Sequence, residues 1–205
     1  MSHAFADIAF TPTVRRLQTQ HGSRAAYARL DQGEPTRHAL TADEVDFIEA
    51  RDGFHQATVS ETGWPYVQFR GGPAGFLKVR DAHTIAYADF RGNRQYISAG
   101  NLATDDRVAL ILMDQAQQRR LKILGRARRV SLEEDPALVA ALQVPGYKAQ
   151  ADGAVVISVE GYDWNCPQHI TPRFTEAEIN QAVQPLRDEL ERLKAEVSRL
   201  KGLAR

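Results

Sequence analysis

Cysteine is almost missing from this chain: Cys166 is the only one in 205 residues. A lone thiol excludes an internal disulfide and suits a reducing compartment. An excess of charge of either sign is missing too. Lysine plus arginine and aspartate plus glutamate both number 26, giving a formal net charge of zero, so no overall field favours nucleic acid or an anionic membrane. No apolar run approaches the roughly 20 residues a helix needs to span a bilayer. The opening "MSHAFADIAF" has neither the basic start nor the long apolar core of a signal peptide. Together these absences predict a cytoplasmic protein with no membrane and no nucleic-acid partner. What is present is ordinary for a globular chain, 43% hydrophobic and 25% charged, enough for one domain with a real core and an appended element.

The periodicity divides the chain into a helical arm (1–52), a strand-rich body (53–174) and a closing helical segment (175–205). In the arm, Thr11 and Pro12 form a cap and first-turn pair, and Gly22 weakens the middle enough to make two short helices. "TADEVDFIEARDG" predicts a helix with a Thr41–Glu44 capping box and a stop at Gly53. Phe54 to Arg70 then reads as a hairpin around "ETGWP", and "FLKVRDAHTIAYADF" as a second hairpin turning near Asp81–His83. "RVALILMD", "RRLKILGRARRVS" and "AVVISVEGYDW" supply the remaining strands, with a short helix opened by Asp135 and Pro136 before the last. About six strands at short spacing, with few helices between them, predict an antiparallel barrel or sandwich rather than a parallel doubly wound sheet.

The closing segment opens on a second capping box, Thr175–Glu178, and Pro185 is expected to break or kink it. Beyond Pro185, Leu186, Leu190, Leu193, Val197 and Leu200 recur at steps of four and three, a heptad seam. It suits docking on the chain's own barrel or pairing with a second subunit. The pairs Asp188–Arg192 and Arg192–Glu196 have the i,i+4 spacing of helical ion pairs.

"DWNCPQHITPRF", Asp163 to Phe174, admits three readings. A closed zinc site needs four ligands. Cys166 and His169 are only two, and His21, His38, His55 and His83 fall on separate helices and turns, so no metal is expected. A catalytic cysteine needs a base and a lowered pKa. Cys166 stands between Asn165 and Pro167 with no helix N-terminus to activate it, and a packing role is expected. A wall beside a bound ligand, stiffened by Pro167 and Pro172, is the third reading. A separate stretch, "YADFRGNRQYISAGNL" from Tyr87 to Leu102, reads as strand, glycine turn and helix start. That geometry holds a phosphate, with Arg91 and Arg94 available for charge-assisted bonds. It is not a Walker loop, which needs Gly-Lys-Ser/Thr.

Between Gly63 and Val130 the elements "GWPYVQF", "AYADFRGNRQ", "DRVALIL" and "LGRARRV" occur in the order of the FMN-binding split-barrel family that includes pyridoxamine 5'-phosphate oxidase. "ADFRGNRQYIS" and "DWNCPQHITPR" are similar to a flavin-nucleotide-binding branch of that superfamily. The resemblance implies a mainly β, antiparallel split barrel with flanking helices and a C-terminal helix, assembled as a homodimer with FMN at the subunit interface. It implies that Asn93, Arg94 and Gln95 match the turn that grips the FMN phosphate, where the oxidases have serine, arginine and lysine. Gln95 removes one positive charge, so binding leans on Arg94, with Arg91 as a substitute. Gln68 stands where the oxidases have an arginine. Tyr87, Ala88 and Asp89 match the strand beneath the flavin. Trp164 and Arg173 match a tryptophan and an arginine that contact the cofactor. Between those two the oxidases carry an arginine and a histidine that hold pyridoxamine phosphate, whereas this chain has "CPQHITP" with His169 offset. That departure argues against vitamin B6 oxidase activity.

The expectation is an FMN-dependent oxidoreductase of unknown substrate, with His169 as proton-handling group. The alternatives are a flavin-binding carrier or sensor without turnover, or a split barrel holding haem or a deazaflavin.

Overall fold

The computed structural model describes residues 2–31, 35–164 and 168–203. In chain order these form β1 (Ser2–His3), α1 (Ala4–Ala9), α2 (Pro12–Gln20), α3 (Arg24–Tyr27) with a 3₁₀ turn at Ala28–Asp31, β2 (Pro35–Thr36), α4 (Ala42–Glu49), β3 (Gly53–Val59) and β4 (Pro65–Gly71). β5 (Leu77–Asp81), β6 (Thr84–Phe90), α5 (Ile97–Thr104), β7 (Arg107–Asp114), β8 (Arg119–Ser131), α6 (Pro136–Leu142), β9 (Ala151–Trp164) and α7 (Glu176–Leu203) follow. Two compact units result. The first runs through Asp114 and resumes at Arg119 as far as Trp164; the second joins Gln115–Gln118 to the described residues from Gln168 onward.

Seven strands, the two hairpins and three further segments expected from the sequence, form one sheet in the order β4-β3-β7-β8-β9-β6-β5. Every pairing in it is antiparallel. β7 shows why these segments are strands: Val108, Leu110 and Leu112 are buried while Arg107 and Ile111 are exposed, the period of a half-buried strand. The buried rows meet in a core of Phe54, Phe76, Tyr87, Leu110, Leu121, Ile123 and Ile157. Phe54 lies between Phe76 and Tyr87, with ring centroids 5.8 and 5.4 Å away.

The arm divides at Gly22, whose φ of +73° a glycine adopts without strain. Thr11 caps α2 by accepting from the Val14 N–H at 3.4 Å. The capping box at Thr41–Glu44 forms, but α4 ends at Glu49 and Gly53 is not its stop. Gly53 opens β3 instead, where a Cβ would stand 2.2 Å from the Phe69 ring. Close packing, not a helix cap, is what requires glycine there.

β8 and β9 pair along most of their length, with a register shift at Leu124/Gly125. A Cβ on Gly125 would sit 2.4 Å from the Ser158 carbonyl oxygen. Gly125→Ala is therefore expected to cost roughly 1–3 kcal/mol, the usual penalty of overpacking, and to lower the melting temperature by several degrees. An unchanged melt would show that the strands part there without cost.

In the second unit, α7 continues through Pro185, so the expected break does not occur. One backbone N–H is lost at that point. Arg192 pairs with Glu189 at 2.6 Å and Lys194 with Glu191 at 2.8 Å. These i,i+3 pairs replace the expected Asp188–Arg192 and Arg192–Glu196; Asp188 instead accepts from Gln184 at 2.8 Å.

Candidate functional site

A cleft of about 320 Å³ opens where β4, β6, the 91–96 turn and the first turn of α5 converge. Gln68, Tyr87, Ala88, Asp89, Arg91, Asn93, Arg94 and Gln95 all line it. Residues separated by up to 27 positions in the sequence thus meet in one place, because β6 leads directly into the turn and Ser98 of α5 reaches β4.

Tyr87 and Ala88 are buried and make the floor. The Tyr87 hydroxyl donates to Gln56 Oε1 at 2.7 Å, and burial pushes this phenol well above its ordinary pKa. It is a locked neutral group. Gln56 Nε2 is buried without a partner among the described residues.

β4 supplies one wall. Tyr66, Gln68 and Arg70 share a face by the strand period. Gln68 Oε1 accepts from the Ser98 hydroxyl at 3.0 Å, which ties α5 to β4; the Asn101 amide donates to Thr58 at 2.9 Å and ties the same helix to β3. Arg70 stands 3.3 Å from Asp89 Oδ1, and Arg129 donates to Asp89 Oδ2 at 2.8 Å. Asp89 is thus flanked by two guanidinium groups and does not present an unpaired negative charge to the cleft. Arg70 Nε is buried with no acceptor among the described residues.

The turn is the other wall. Arg91 forks onto Asp152, with Nε–Oδ1 at 2.9 Å and Nη2–Oδ1 at 2.7 Å. This hydrogen-bonded pairing lowers the Asp152 pKa and raises that of Arg91. Asn93 Oδ1 accepts from the Gln95 N–H at 3.1 Å, an Asx turn, and Arg94 and Tyr96 take left-handed φ values of 60° and 55°. α5 begins with no side-chain cap on Tyr96, so its first-turn N–H groups border the cleft uncapped. The Arg94 guanidinium makes no hydrogen bond or close ion pair among the described residues, and its charge adds to that of Arg91 in lowering the Asp152 pKa. Arg70, Arg91 and Arg94 face Asp89 and Asp152, a surplus of one positive charge before Arg129 is added.

The other expected residues lie elsewhere. Trp164, at the end of β9, is not in this lining. Its indole N–H donates to Glu44 Oε1 at 2.7 Å, its ring meets Phe47 edge-on, and Arg119 lies 4.5 Å over it. Arg173 and His169 belong to the second unit, where His169 has a φ of 64°. Asn165, Cys166 and Pro167 lie outside the described residues, and with them the assignment of Cys166 to packing. His38 and His83, taken from sequence as unrelated, stack at 5.5 Å. Among the described residues no group of three His, Cys, Asp or Glu side chains could hold a metal ion.

Sequence reasoning missed Arg70, Ser98 and Asp152. Arg70 was legible, since it stands two residues from Gln68 on the same strand face. Asp152 was not: its meeting with Arg91 depends on the register that sets Phe90 against Ala151 across β6 and β9.

The profile of pyridoxamine 5'-phosphate oxidase matches residues 40–160, which is more than half of the chain. The chain belongs to the pyridoxamine 5'-phosphate oxidase family. The sheet is the antiparallel split barrel of that family, followed by the helix α7. Among solved structures, HupZ of group A Streptococcus is similar at 17% identity, covering 66% of this chain and 99% of that one, with a TM-score of 0.50. A Clostridium acetobutylicum protein related to general stress protein 26, of the pyridoxinephosphate oxidase family, has 15% identity, covers 67% and 94%, and gives a TM-score of 0.45. An FMN-binding protein of Syntrophomonas wolfei has 9% identity, covers 72% and 97%, and gives 0.45. No curated protein matches the sequence. Among the described residues no helix is long and apolar enough to cross a membrane.

Proposed function

We propose that the protein binds FMN in the cleft between β4, β6 and the 91–96 turn, and works as an FMN-dependent oxidoreductase on a small molecule in the cytoplasm. The observation that carries this reading is Arg94: a cleft guanidinium with no hydrogen bond or close ion pair among the described residues, which adds only its field at Asp152, while the other arginines, Arg70 and Arg91, already pair with Asp89 and Asp152. A phosphate is the ligand such a group suits, because its fork matches two phosphate oxygens. The uncapped start of α5 adds the positive end of a helix dipole to the same place. Arg70, whose Nε is buried without an acceptor among the described residues, adds positive charge on the β4 wall. Flavin, when bound, supplies the redox chemistry. The chain's part is to bind the phosphate, to hold the ring on Tyr87 and Ala88, and to keep Asp89 neutralised beneath it.

The reading includes a homodimer. On the face of the sheet away from Gln68 and Arg70, direct cross-strand neighbours form apolar rows: Phe69, His55 and Ile111, then Val67, Ala57 and Ala109. Val67 and Phe69 are 59% and 60% exposed and Ile111 is 40% exposed. Three adjacent strands with that much uncovered apolar surface suit a subunit contact.

The absorption spectrum of the purified protein tests the cofactor. Flavin bands in the blue and near ultraviolet, released as FMN on denaturation, are expected; a Soret band would replace FMN with haem. Reduction by NADH or NADPH in stopped flow then separates turnover from storage. A chain ending at Gln184 is expected to keep both FMN and the dimer by light scattering. A flavin-free monomer would show that the tail holds the subunits together.

A further inference from the structure

We infer that α7 pairs with α7 of a second copy of this chain as a parallel, in-register, two-stranded coiled coil. The sequence alone offered a seam only from Leu186 onward. Because the helix runs unbroken through Pro185, Ile179 and Val183 join it, and the seam lengthens to Ile179–Leu200. That is three heptads and about 33 Å at the helical rise. Ile179, Leu186, Leu193 and Leu200 take the d positions, while Val183, Leu190 and Val197 take the a positions. The d residues are 45–71% exposed, and Leu190 and Val197 are 51% and 48% exposed, so the stripe is largely uncovered. Pro185 falls at c, off the a and d seam, so its ring and its missing N–H lie outside the contacting positions.

The charges flanking the stripe select the partner. The e positions from Arg187 onward are basic: Arg187, Lys194 and Lys201. The g positions Glu189 and Glu196 are acidic. In a parallel pair, g of one helix meets e of the next heptad on the other, which sets Glu189 against Lys194 and Glu196 against Lys201, twice each by symmetry. In an antiparallel pair, g meets g and e meets e, setting glutamate against glutamate and lysine against lysine. Valine at two of three a positions, with leucine at three of four d positions, favours two strands over three or four. Within one helix Glu189 holds Arg192 at 2.6 Å and Lys194 holds Glu191 at 2.8 Å, so in the pair these two seam residues share or exchange those partners for the facing helix. This inference stands on α7 alone and does not depend on FMN.

Cysteine crosslinking in the full chain, in a Cys166→Ser background, tests it. Leu200→Cys at d should form a disulfide-linked dimer on mild oxidation, at least about tenfold faster than Ala195→Cys at the outward f position, because only d holds the two thiols at high effective concentration. Equal rates at both positions, or no crosslink at Leu200→Cys, would overturn the inference. Faster linkage between co-expressed Ile179→Cys and Val197→Cys chains, a d and an a position that face each other only in the antiparallel arrangement, than between two Leu200→Cys chains would overturn it in favour of an antiparallel pair. A d-position cysteine removes one buried leucine, so Leu193→Cys repeats the readout elsewhere on the seam. Charge reversal gives an independent measure that keeps the core intact. Lys194→Glu with Lys201→Glu should slow Leu200→Cys linkage, as should Glu189→Lys with Glu196→Lys, and co-expression of the two should restore it. Linkage indifferent to both reversals would show that these charges do not set the pairing.

Discussion

Arg94→Ala is expected to weaken FMN binding by roughly 1.5–3 kcal/mol, the range for hydrogen bonds to charged groups, or about ten- to 150-fold. Riboflavin, which lacks the phosphate, is expected to bind the variant and the parent alike. The size follows from how the cleft distributes its positive charge. Arg91 is engaged by Asp152, and Arg70 stands beside Asp89, which Arg129 also holds. Removing Arg94 deletes the lining arginine that no hydrogen bond or close ion pair holds among the described residues. Gln95, with no charge, cannot replace it. Arg91→Ala should weaken FMN binding as well, since it removes a positive charge, leaves the Asp152 carboxylate without its Arg91 partner beside the phosphate, and loosens the turn. Fluorescence titration of both flavins against both proteins decides the matter. Equal FMN affinity in parent and Arg94→Ala would remove the phosphate from this turn, whereas equal losses for FMN and riboflavin would mean that the substitution merely collapses the cleft.

Much of this site was legible because it is local. The 87–95 segment passes from strand to turn without a break, so its residue order fixes which side chains share the cleft. Gln68 came with it through the hairpin pattern of 54–70. The parts that were not legible depend on register and on long-range pairing. Asp152 meets Arg91, and Arg129 meets Asp89, because β9 lies between β6 and β8; nothing near Arg91 or Asp89 in sequence announces those partners. Gly53 was misread because a glycine after an amphipathic helix has two uses, a cap and a point of close approach, and only the Phe69 ring above it decides between them. Pro185 was read as a break or a kink; the break does not occur, since a helix with exposed backbone can give up one hydrogen bond and continue. Trp164 shows a different limit. Its place in the family motif predicts a neighbour of the flavin, while within its own chain it is bound to Glu44, a residue 120 positions earlier.

That contact gives the other large expectation: Glu44→Ala should destabilise the first unit by roughly 3 kcal/mol. Glu44 is 4% exposed, and its carboxylate serves two purposes at once. It closes the capping box of α4, with Oε2 accepting from the Thr41 N–H at 3.0 Å and the Thr41 hydroxyl at 2.6 Å. It also ties α4 to β9, accepting from the Tyr162 hydroxyl at 3.1 Å and the Trp164 indole at 2.7 Å. Alanine leaves a buried phenol and a partly buried indole N–H without an acceptor, which costs more than the bonds themselves were worth. Burial alone would push the Glu44 pKa up, but the hydrogen bonds from Thr41, Trp164 and Tyr162 outweigh it and hold the carboxyl below its ordinary value of 4.5. Tyr162 moves the opposite way, pushed up to about 12 by burial and then by the Glu44 charge, so it stays a donor at all relevant pH. A depressed folded-state pKa means that the stabilisation is fully present above the unfolded value and is lost as pH falls from there through the folded value. The melting temperatures of parent and Glu44→Gln should therefore lie well apart at pH 7 and converge below pH 4.5, where the parent's carboxyl becomes protonated and resembles the amide. A gap that stays constant across that range would show that Glu44 stabilises the fold by shape alone, with no contribution from its charge.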